Sequence, residues 1–210
     1  MTRILIVDDH AMIRRGLRSI LTGAFPQLEL VEARDAIEAL QAGEKAAFDL
    51  ALLDINLPGR NGLDLLQDLR RLHPGMPVIV LTAFPENDYA LRAFKLGASG
   101  YVTKQSAETE LLRAVGKVLA GGHYVTPSLA EVFASVLAGD TPDSAHETLS
   151  NRELQVLCSV ARGRTLKEIA AELNLSEKTI GTYRTRISQK LGVSTNVELA
   201  RYAERHHLVD

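Results

Sequence analysis

Along the first 120 residues, short runs of consecutive apolar residues alternate with longer stretches in which apolar positions recur every three or four residues. The runs Arg3–Asp8, Leu28–Ala33, Asp49–Asp54, Pro77–Thr82 and Gly100–Thr103 predict strands. Ala11–Leu21, Asp35–Lys45, Gly62–Leu72, Asn87–Leu96 and Ala107–Leu119 predict helices, and Leu63, Leu66, Leu69 and Leu72 share one face of the third. Asp35 followed by Glu38 signals a helix start, and Gly97 and Gly121 stand where helices should stop. Ile4-Leu5-Ile6-Val7 and Val78-Ile79-Val80-Leu81 lack polar alternation, which is the pattern of a parallel sheet covered by helices on both faces. Five such β-α repeats predict an α/β fold, a doubly wound five-stranded parallel sheet.

Beyond Gly121-Gly122 the strand pattern ceases. Thr126-Pro127 pairs an N-cap with a proline at the first helical position and opens a helix to about Leu137. Gly139-Asp140-Thr141-Pro142-Asp143-Ser144 is turn-rich and acidic, hence a linker. The remainder predicts an all-α domain. Ser150 with Glu153 and Thr165 with Glu168 have capping-box spacing, Ser176 caps a third helix ending near Leu191-Gly192, and a fourth runs from about Asn196 to Arg205. Two of these helices, joined by Asn174-Leu175-Ser176 within Leu166–Leu191, form a helix-turn-helix pattern. With Ile180 facing the core, about 100° per residue brings Ile187 and Leu191 onto the same buried stripe. Lys178, Thr182 and Gln189 then face outward with Thr185 beside them, flanked by Arg186 and Lys190.

Composition narrows the class. Apolar residues make up 46% and charged residues 24%, which fits a globular chain and excludes disorder and coiled-coil composition. The single cysteine, Cys158, permits neither an intramolecular disulfide nor a cysteine zinc site, and among Leu154, Leu157 and Ala161 it reads as a small core residue. No apolar run approaches the roughly 20 residues of a membrane span, and Thr2-Arg3-Ile4-Leu5 after Met1 has no signal-peptide pattern. These features predict a cytoplasmic protein with no membrane partner. The net charge of −2 is unevenly distributed: residues 1–147 carry 14 Lys/Arg against 19 Asp/Glu, and residues 148–210 carry 10 against 7. Only the tail has the positive excess that suits a polyanion.

Candidate chemistry lies where the predicted strands end. In an open α/β sheet, ligands bind beyond the carboxyl ends of the strands. Asp8 and Asp9 follow the first strand there, Asp54 the third, Thr82 the fourth and Lys104 the fifth. Three converging carboxylates repel one another and call for a hard divalent cation, and Mg²⁺ suits few carboxylates plus phosphate oxygens. Lys104 and Thr82 suit an oxyanion beside that metal, and an aspartate can form an acyl phosphate. Singly, each residue has a plainer reading: a helix cap for Asp8-Asp9, turn chemistry for Asp54, a solvated Lys104, a half-buried Tyr101. Their joint occurrence at strand ends favours the site. His10 reads as a surface loop residue, and the six histidines have no metal-site spacing.

Val7-Asp8-Asp9-His10, Leu53-Asp54-Ile55-Asn56-Leu57-Pro58-Gly59-Arg60-Asn61-Gly62, Leu81-Thr82-Ala83 and Gly100-Tyr101-Val102-Thr103-Lys104 resemble the flavodoxin-like receiver domain of two-component response regulators. The resemblance implies that Asp54 accepts a phosphoryl group from a sensor histidine kinase. It implies Mg²⁺ held directly by Asp9, Asp54 and the Asn56 backbone carbonyl, with Asp8 acting through water. Thr82 and Lys104 would hold phosphoryl oxygens, and Tyr101 would be the aromatic that turns inward on activation. The tail resembles the LuxR-type helix-turn-helix in Leu149-Ser150-Asn151-Arg152-Glu153, Ala161-Arg162-Gly163, Glu168-Ile169-Ala170, Ser176-Glu177-Lys178-Thr179-Ile180, Arg184-Thr185-Arg186-Ile187 and Lys190-Leu191-Gly192-Val193. Together they are similar to NarL/FixJ-type regulators, with one departure: Gly181 stands where members often carry lysine.

The implied function is phosphorylation-controlled transcription. Lys178, Thr179, Thr182, Tyr183, Thr185, Arg186, Gln189 and Lys190 would contact double-stranded promoter DNA, and phosphorylation would favour a homodimer and expose this helix. Catalysis would be limited to the receiver's own phosphorylation and dephosphorylation. The expected domains are a receiver at 1–122, a linker with one helix at 123–147 and a helix-turn-helix domain at 148–210. Two alternatives stand beside this reading. One is a Mg²⁺-dependent aspartyl-phosphate hydrolase, which normally carries its second acid two residues after the nucleophile rather than adjacent to it. The other is a phosphorylation-independent adaptor whose tail docks on protein.

Overall fold

The computed structural model describes residues 1–84, 86–106, 108–137, 145–206 and 208–209. The expected linker Gly139–Ser144 lies outside the described residues, as does Ala107. The chain divides into two compact units, Met1–Glu86 with Ala90–Thr126, and Asn87–Tyr89 with Pro127–Asp210.

In the first, β1 (Thr2–Val7), β2 (Leu28–Ala33), β3 (Leu50–Leu53), β4 (Val78–Thr82) and β5 (Gly100–Thr103) alternate with helices. These are α1 (Ala11–Ala24), α2 (Ala36–Lys45), α3 (Gly62–Leu72), α4 (Glu86–Lys95) and α5 (Glu108–Leu119). The strands form one parallel sheet in the order β2-β1-β3-β4-β5, in register at Ile4 with Leu30 and Leu50, Leu52 with Ile79, and Ile79 with Gly100. One set of alternate strand residues, including Ile4, Ile6, Leu52, Ile79 and Val102, packs with Leu17 and Leu21 of α1 and Leu111, Val115 and Val118 of α5. The intervening set, Leu5, Val7, Ala51, Leu53, Val78, Val80 and Tyr101, is buried as well. Burial of both faces accounts for the unbroken apolar runs.

Helix ends follow the predicted signals closely. Asp35 is the N-cap of α2 and accepts the Glu38 N–H, and Gly97 and Gly121 follow α4 and α5 with φ of +97° and +84°. The α1 helix runs to Ala24, three residues past its expected end. Asp49 and Asp54 flank β3 rather than belonging to it.

The second unit is helical: α6 (Pro127–Leu137), a short 3₁₀ turn (Ala145–Thr148), α7 (Asn151–Ala161), α8 (Leu166–Glu172), α9 (Glu177–Leu191) and α10 (Asn196–Arg205). Ser150, Thr165 and Thr195 each form a full capping box with Glu153, Glu168 and Glu198. Ser176 caps α9 by accepting the Thr179 N–H. Leu154, Leu157, Ile169, Leu173, Ile180, Ile187, Leu199 and Ala203 form the buried interior, joined by Cys158, whose thiol faces the Leu208 carbonyl at 3.6 Å. Among the described residues no helix is long and apolar enough to cross a membrane.

Candidate functional site

Backbone pairing carries the candidate residues to one edge of the sheet. The ladder continues one residue beyond each strand: Asp8 N–H donates to Ala33 O at 3.1 Å, Asp54 N–H to Val7 O at 2.9 Å and Lys104 N–H to Thr82 O at 2.7 Å. Side chains from these stretches therefore meet. Lys104 Nζ lies 2.6 Å from both Asp8 Oδ2 and Asp54 Oδ2. It donates a hydrogen bond to Asp54 and forms an ion pair with Asp8. Ligand atoms of Asp8, Asp9, His10 and Asp54 all lie within 4.8 Å of one another.

Burial sharpens this electrostatics. Asp8 and Asp54 are each 2% exposed. Burial pushes the Asp54 carboxyl above the usual aspartate range, against the pull of Lys104. Burial also opposes the Lys104 cation, but Asp54 and Asp8 prevail and hold its ammonium above the ordinary lysine value. Thr82 is fully buried, and its hydroxyl has no hydrogen-bond partner among the described residues. A buried, unanswered hydroxyl is costly unless something else occupies its lone pairs or takes its proton.

The following loop is shaped to hold Asp54. Asn56 N–H donates to Asp54 Oδ1 at 3.2 Å, and Gly62 N–H to Ile55 O at 2.8 Å. At Gly62 a Cβ would stand 2.7 Å from Ile55 Cα, so only glycine lets α3 start this close to the loop. Asn61 caps that helix by accepting the Leu63 N–H. Across the pocket, Arg14 Nη1 donates to the Asp8 carbonyl at 2.7 Å and its Nε to Glu32 at 3.0 Å.

The second candidate surface is α9. Ile180 and Ile187 are fully buried and Leu191 partly so, while Lys178, Thr182, Thr185, Arg186 and Gln189 are exposed and include no acid. Thr179 and Tyr183 are half-buried beside them. The hydroxyls of Thr182 and Thr185 donate to the carbonyls of Lys178 and Gly181, each at 3.0 Å, leaving their oxygens as acceptors.

Residues 4–116 match the family model of the response regulator receiver domain, and residues 147–203 that of the bacterial regulatory proteins of the luxR family. Response regulator GacA of Pseudomonas aeruginosa is 35% identical over 212 residues, covering 100% of this chain and 99% of GacA. Response regulator UvrY of Escherichia coli K12 is 34% identical over 209 residues, covering 99% and 96%. The chain belongs to the NarL/FixJ-type response regulators. Among solved structures, RcsB from Salmonella enterica serovar Typhimurium, bound to promoter rprA with the phosphomimetic BeF₃⁻, superposes with a TM-score of 0.64. It shares 28% identity over 97% of this chain and 98% of that one.

In this response regulator Asp8, Asp9, Asp54 and Lys104 share one pocket, with Thr82 at its wall and Asn56 in the adjoining loop. Three details extend the sequence-based expectations. Tyr101, expected to turn inward on activation, is fully buried, its hydroxyl donating to Phe84 O at 3.0 Å. A buried phenol needs an acceptor, and the loop carbonyl provides one. Lys190, expected on DNA, bonds Glu153 Oε2 at 2.6 Å and Thr148 O at 3.1 Å. The nearly buried Glu153 carboxylate attracts the closest cation inward. His10, expected as a plain loop residue, joins the carboxylates, with Nδ1 2.6 Å from Asp9 Oδ1 and 3.2 Å from Asp8 Oδ1. Its adjacency to Asp8-Asp9 was the available signal. Arg14 left only a faint one, a helix position facing Glu32 across β2.

Proposed function

We propose that this response regulator is switched by phosphorylation of Asp54 and controls transcription by binding promoter DNA through α9. The observation that carries the reading is the buried Asp8-Lys104-Asp54 constellation, with both Nζ–Oδ2 distances at 2.6 Å, beside the unanswered hydroxyl of Thr82. An Asp54 oxygen attacks the phosphorus of a phosphohistidine on a sensor kinase, the P–N bond breaks, and its electron pair leaves with the imidazole. Lys104 then holds one phosphoryl oxygen, and the Thr82 hydroxyl donates to another.

The donor set fits Mg²⁺. Three carboxylates against one ammonium leave a formal charge of −2, and two of those carboxylates are almost fully buried. Asp9, Asp54 and the Asn56 carbonyl would hold the ion, with Asp8 through water. When bound, Mg²⁺ supplies neutralising charge to the phosphoryl oxygens. Tyr101, whose hydroxyl is held by the Phe84 carbonyl of the β4–α4 loop, is the aromatic that turns inward on activation. Catalysis is confined to the receiver's own phosphorylation and dephosphorylation.

The receiver occupies residues 1–122, a linker with one helix 123–147, and the DNA-binding domain 148–210. Phosphorylation favours a homodimer, so that two tails meet two half-sites. Lys178, Thr179, Thr182, Tyr183, Thr185, Arg186 and Gln189 face the DNA, the cations and Tyr183 toward phosphates and the polar outward residues toward base edges. Lys190 belongs to the support of this surface. The solved complexes of RcsB with DNA, one of them with promoter rprA, support DNA binding by this chain.

The test is phosphorylation of the full chain by acetyl phosphate with Mg²⁺, read by intact mass, then sequencing of genomic fragments retained by the product. One phosphoryl group is expected on wild type and none on Asp54→Asn, with a discrete set of fragments enriched only after phosphorylation. Phosphoryl transfer surviving in Asp54→Asn, or retention indifferent to phosphorylation, would end the proposal.

A further inference from the structure

In the helical unit, two imidazoles and a phenol from opposite ends of the sequence meet. His146 lies in the 3₁₀ turn Ala145–Thr148, Tyr202 in α10, and His206 is the C-cap residue of α10. The rings of His146 and His206 stand 5.3 Å apart, centre to centre, at an interplanar angle of 62°. Tyr202 touches both. Its hydroxyl accepts the His146 N–H at 3.0 Å and lies 3.2 Å from His146 Nδ1, and its ring packs against His206 at 4.3 Å, tilted by 33°. All three residues are half-buried, so the rings are held by their neighbours yet reachable from solvent.

That separation suits two imidazoles on one tetrahedral ion. With a metal–nitrogen bond of about 2.0 Å a ring centre sits about 3.2 Å from the metal, so two ligating rings at the tetrahedral angle have centres about 5.2 Å apart. Tyr202 meets a second requirement, because a ligating imidazole donates its other N–H to an oxygen that fixes its plane. With Nδ1–H donating to Tyr202 Oη, Nε2 is the ligating atom of His146. Among the described residues no carboxylate or thiol completes a group of three with these rings. Neutral nitrogens without an acid do not suit Mg²⁺ or Ca²⁺, which take oxygen, but they suit late first-row cations.

We propose that His146 and His206 form a site for a late first-row divalent cation of the Zn²⁺ class, with Tyr202 as its positioning residue. Water fills the remaining positions of the tetrahedron. The ion ties the 3₁₀ turn, which Lys190 joins to α9 through the Thr148 carbonyl, to the end of α10. Because the unfolded chain does not hold the two imidazoles together, binding stabilises the folded helical unit by mass action.

Calorimetric titration of the full chain with Zn²⁺, in excess Mg²⁺ to hold the acidic pocket, tests this in wild type, His146→Phe, His206→Phe and Tyr202→Phe. Phenylalanine keeps an aromatic ring at each position and removes the ligating or hydrogen-bonding atom. Both histidine variants should weaken one and the same Zn²⁺ isotherm by about tenfold or more, which distinguishes it from binding at the other histidines of the six. Both should also abolish the rise in Tm that Zn²⁺ gives wild type. Tyr202→Phe should weaken that isotherm by about tenfold. Survival of the isotherm in either histidine variant, or no Zn²⁺ binding by wild type, overturns the site and leaves the three rings as a packing cluster. Unchanged affinity in Tyr202→Phe overturns the positioning role.

Discussion

The acidic pocket and the outward face of α9 are both polar surfaces, but they rest on opposite physical conditions. In the pocket, Asp8, Asp54, Thr82 and Lys104 come from four separate strand ends and are almost withdrawn from water. On α9, Lys178, Thr182, Thr185, Arg186 and Gln189 come from one helix and remain solvated. A buried charge must be answered by its neighbours, so each pocket residue constrains the others. A solvated side chain carries no such obligation, so helix geometry alone sets its direction. Single substitutions in the pocket should therefore be strongly coupled, whereas those on the α9 face should act in roughly independent increments.

The largest expected effect is at Lys104. Lys104→Met leaves two buried carboxylates unneutralised and should cost about 3–5 kcal/mol in chelator-treated buffer. Mg²⁺ should restore much of that loss, measured by urea unfolding followed by circular dichroism. Equal stability of variant and wild type in chelator would contradict the coupling assigned to the pocket.

Lys190 tests whether the helical unit contains a smaller version of the same coupling. Its partner Glu153 has a side chain only 4% exposed, but Lys190 itself is 38% exposed, so screening reduces the interaction. Lys190→Met should cost about 1–2 kcal/mol near neutral pH. Burial raises the Glu153 pKa, yet Lys190 and the Ser150 amide and hydroxyl outweigh it and hold the carboxyl below its ordinary range. A lowered acid pKa stabilises the fold above the unfolded value and loses that contribution as pH falls through the folded one. The gap between wild type and Lys190→Met should therefore narrow on acidification below about pH 4.5. A gap that widens on acidification would refute the pairing.

Arg186 probes the solvated side of the contrast. Arg186→Ala should leave folding unchanged and make log affinity for DNA less steep in log salt by about one unit. Lys190→Met should leave that slope alone, because its ammonium faces Glu153. If both variants lower the slope equally, Lys190 reaches DNA and its inward assignment falls. The smallest effect is at Gly181, where an added Cβ meets no atom within 4 Å. Gly181→Ala should stabilise α9 by up to about 1 kcal/mol in thermal unfolding.

Much of this was legible in the chain, for identifiable reasons. Capping residues such as Ser150, Thr165 and Ser176 act on backbone amides two or three residues away, so spacing alone reveals them. The α9 orientation was equally accessible, because Ile180 and Ile187 repeat with the helix period and both are buried. Strand-end logic brought the acids, Thr82 and Lys104 to one edge before any distance was known. The partners of His10 and Lys190 are not legible in the sequence, because they are not set by period or cap. An exposed imidazole looks the same in sequence whether or not carboxylates converge on it, and Lys190 sits 37 residues from Glu153 along the chain. Tyr101 illustrates a further gap, since its strand position is readable but its buried rotamer depends on the Phe84 carbonyl.

By itself the sequence determined the elements, their order, the two-sided burial of the sheet and the residue types delivered to its edge. All of these follow from periodicity, caps and the chirality of β-α crossovers, which act locally or uniformly along a chain. Only the tertiary structure decided that Lys104 bridges two carboxylates, that His10 joins them, that the Tyr101 hydroxyl meets the Phe84 carbonyl and that Lys190 meets Glu153. Each of those outcomes is a competition between burial and charge at distances of a few ångströms, and such distances exist only once remote segments have packed.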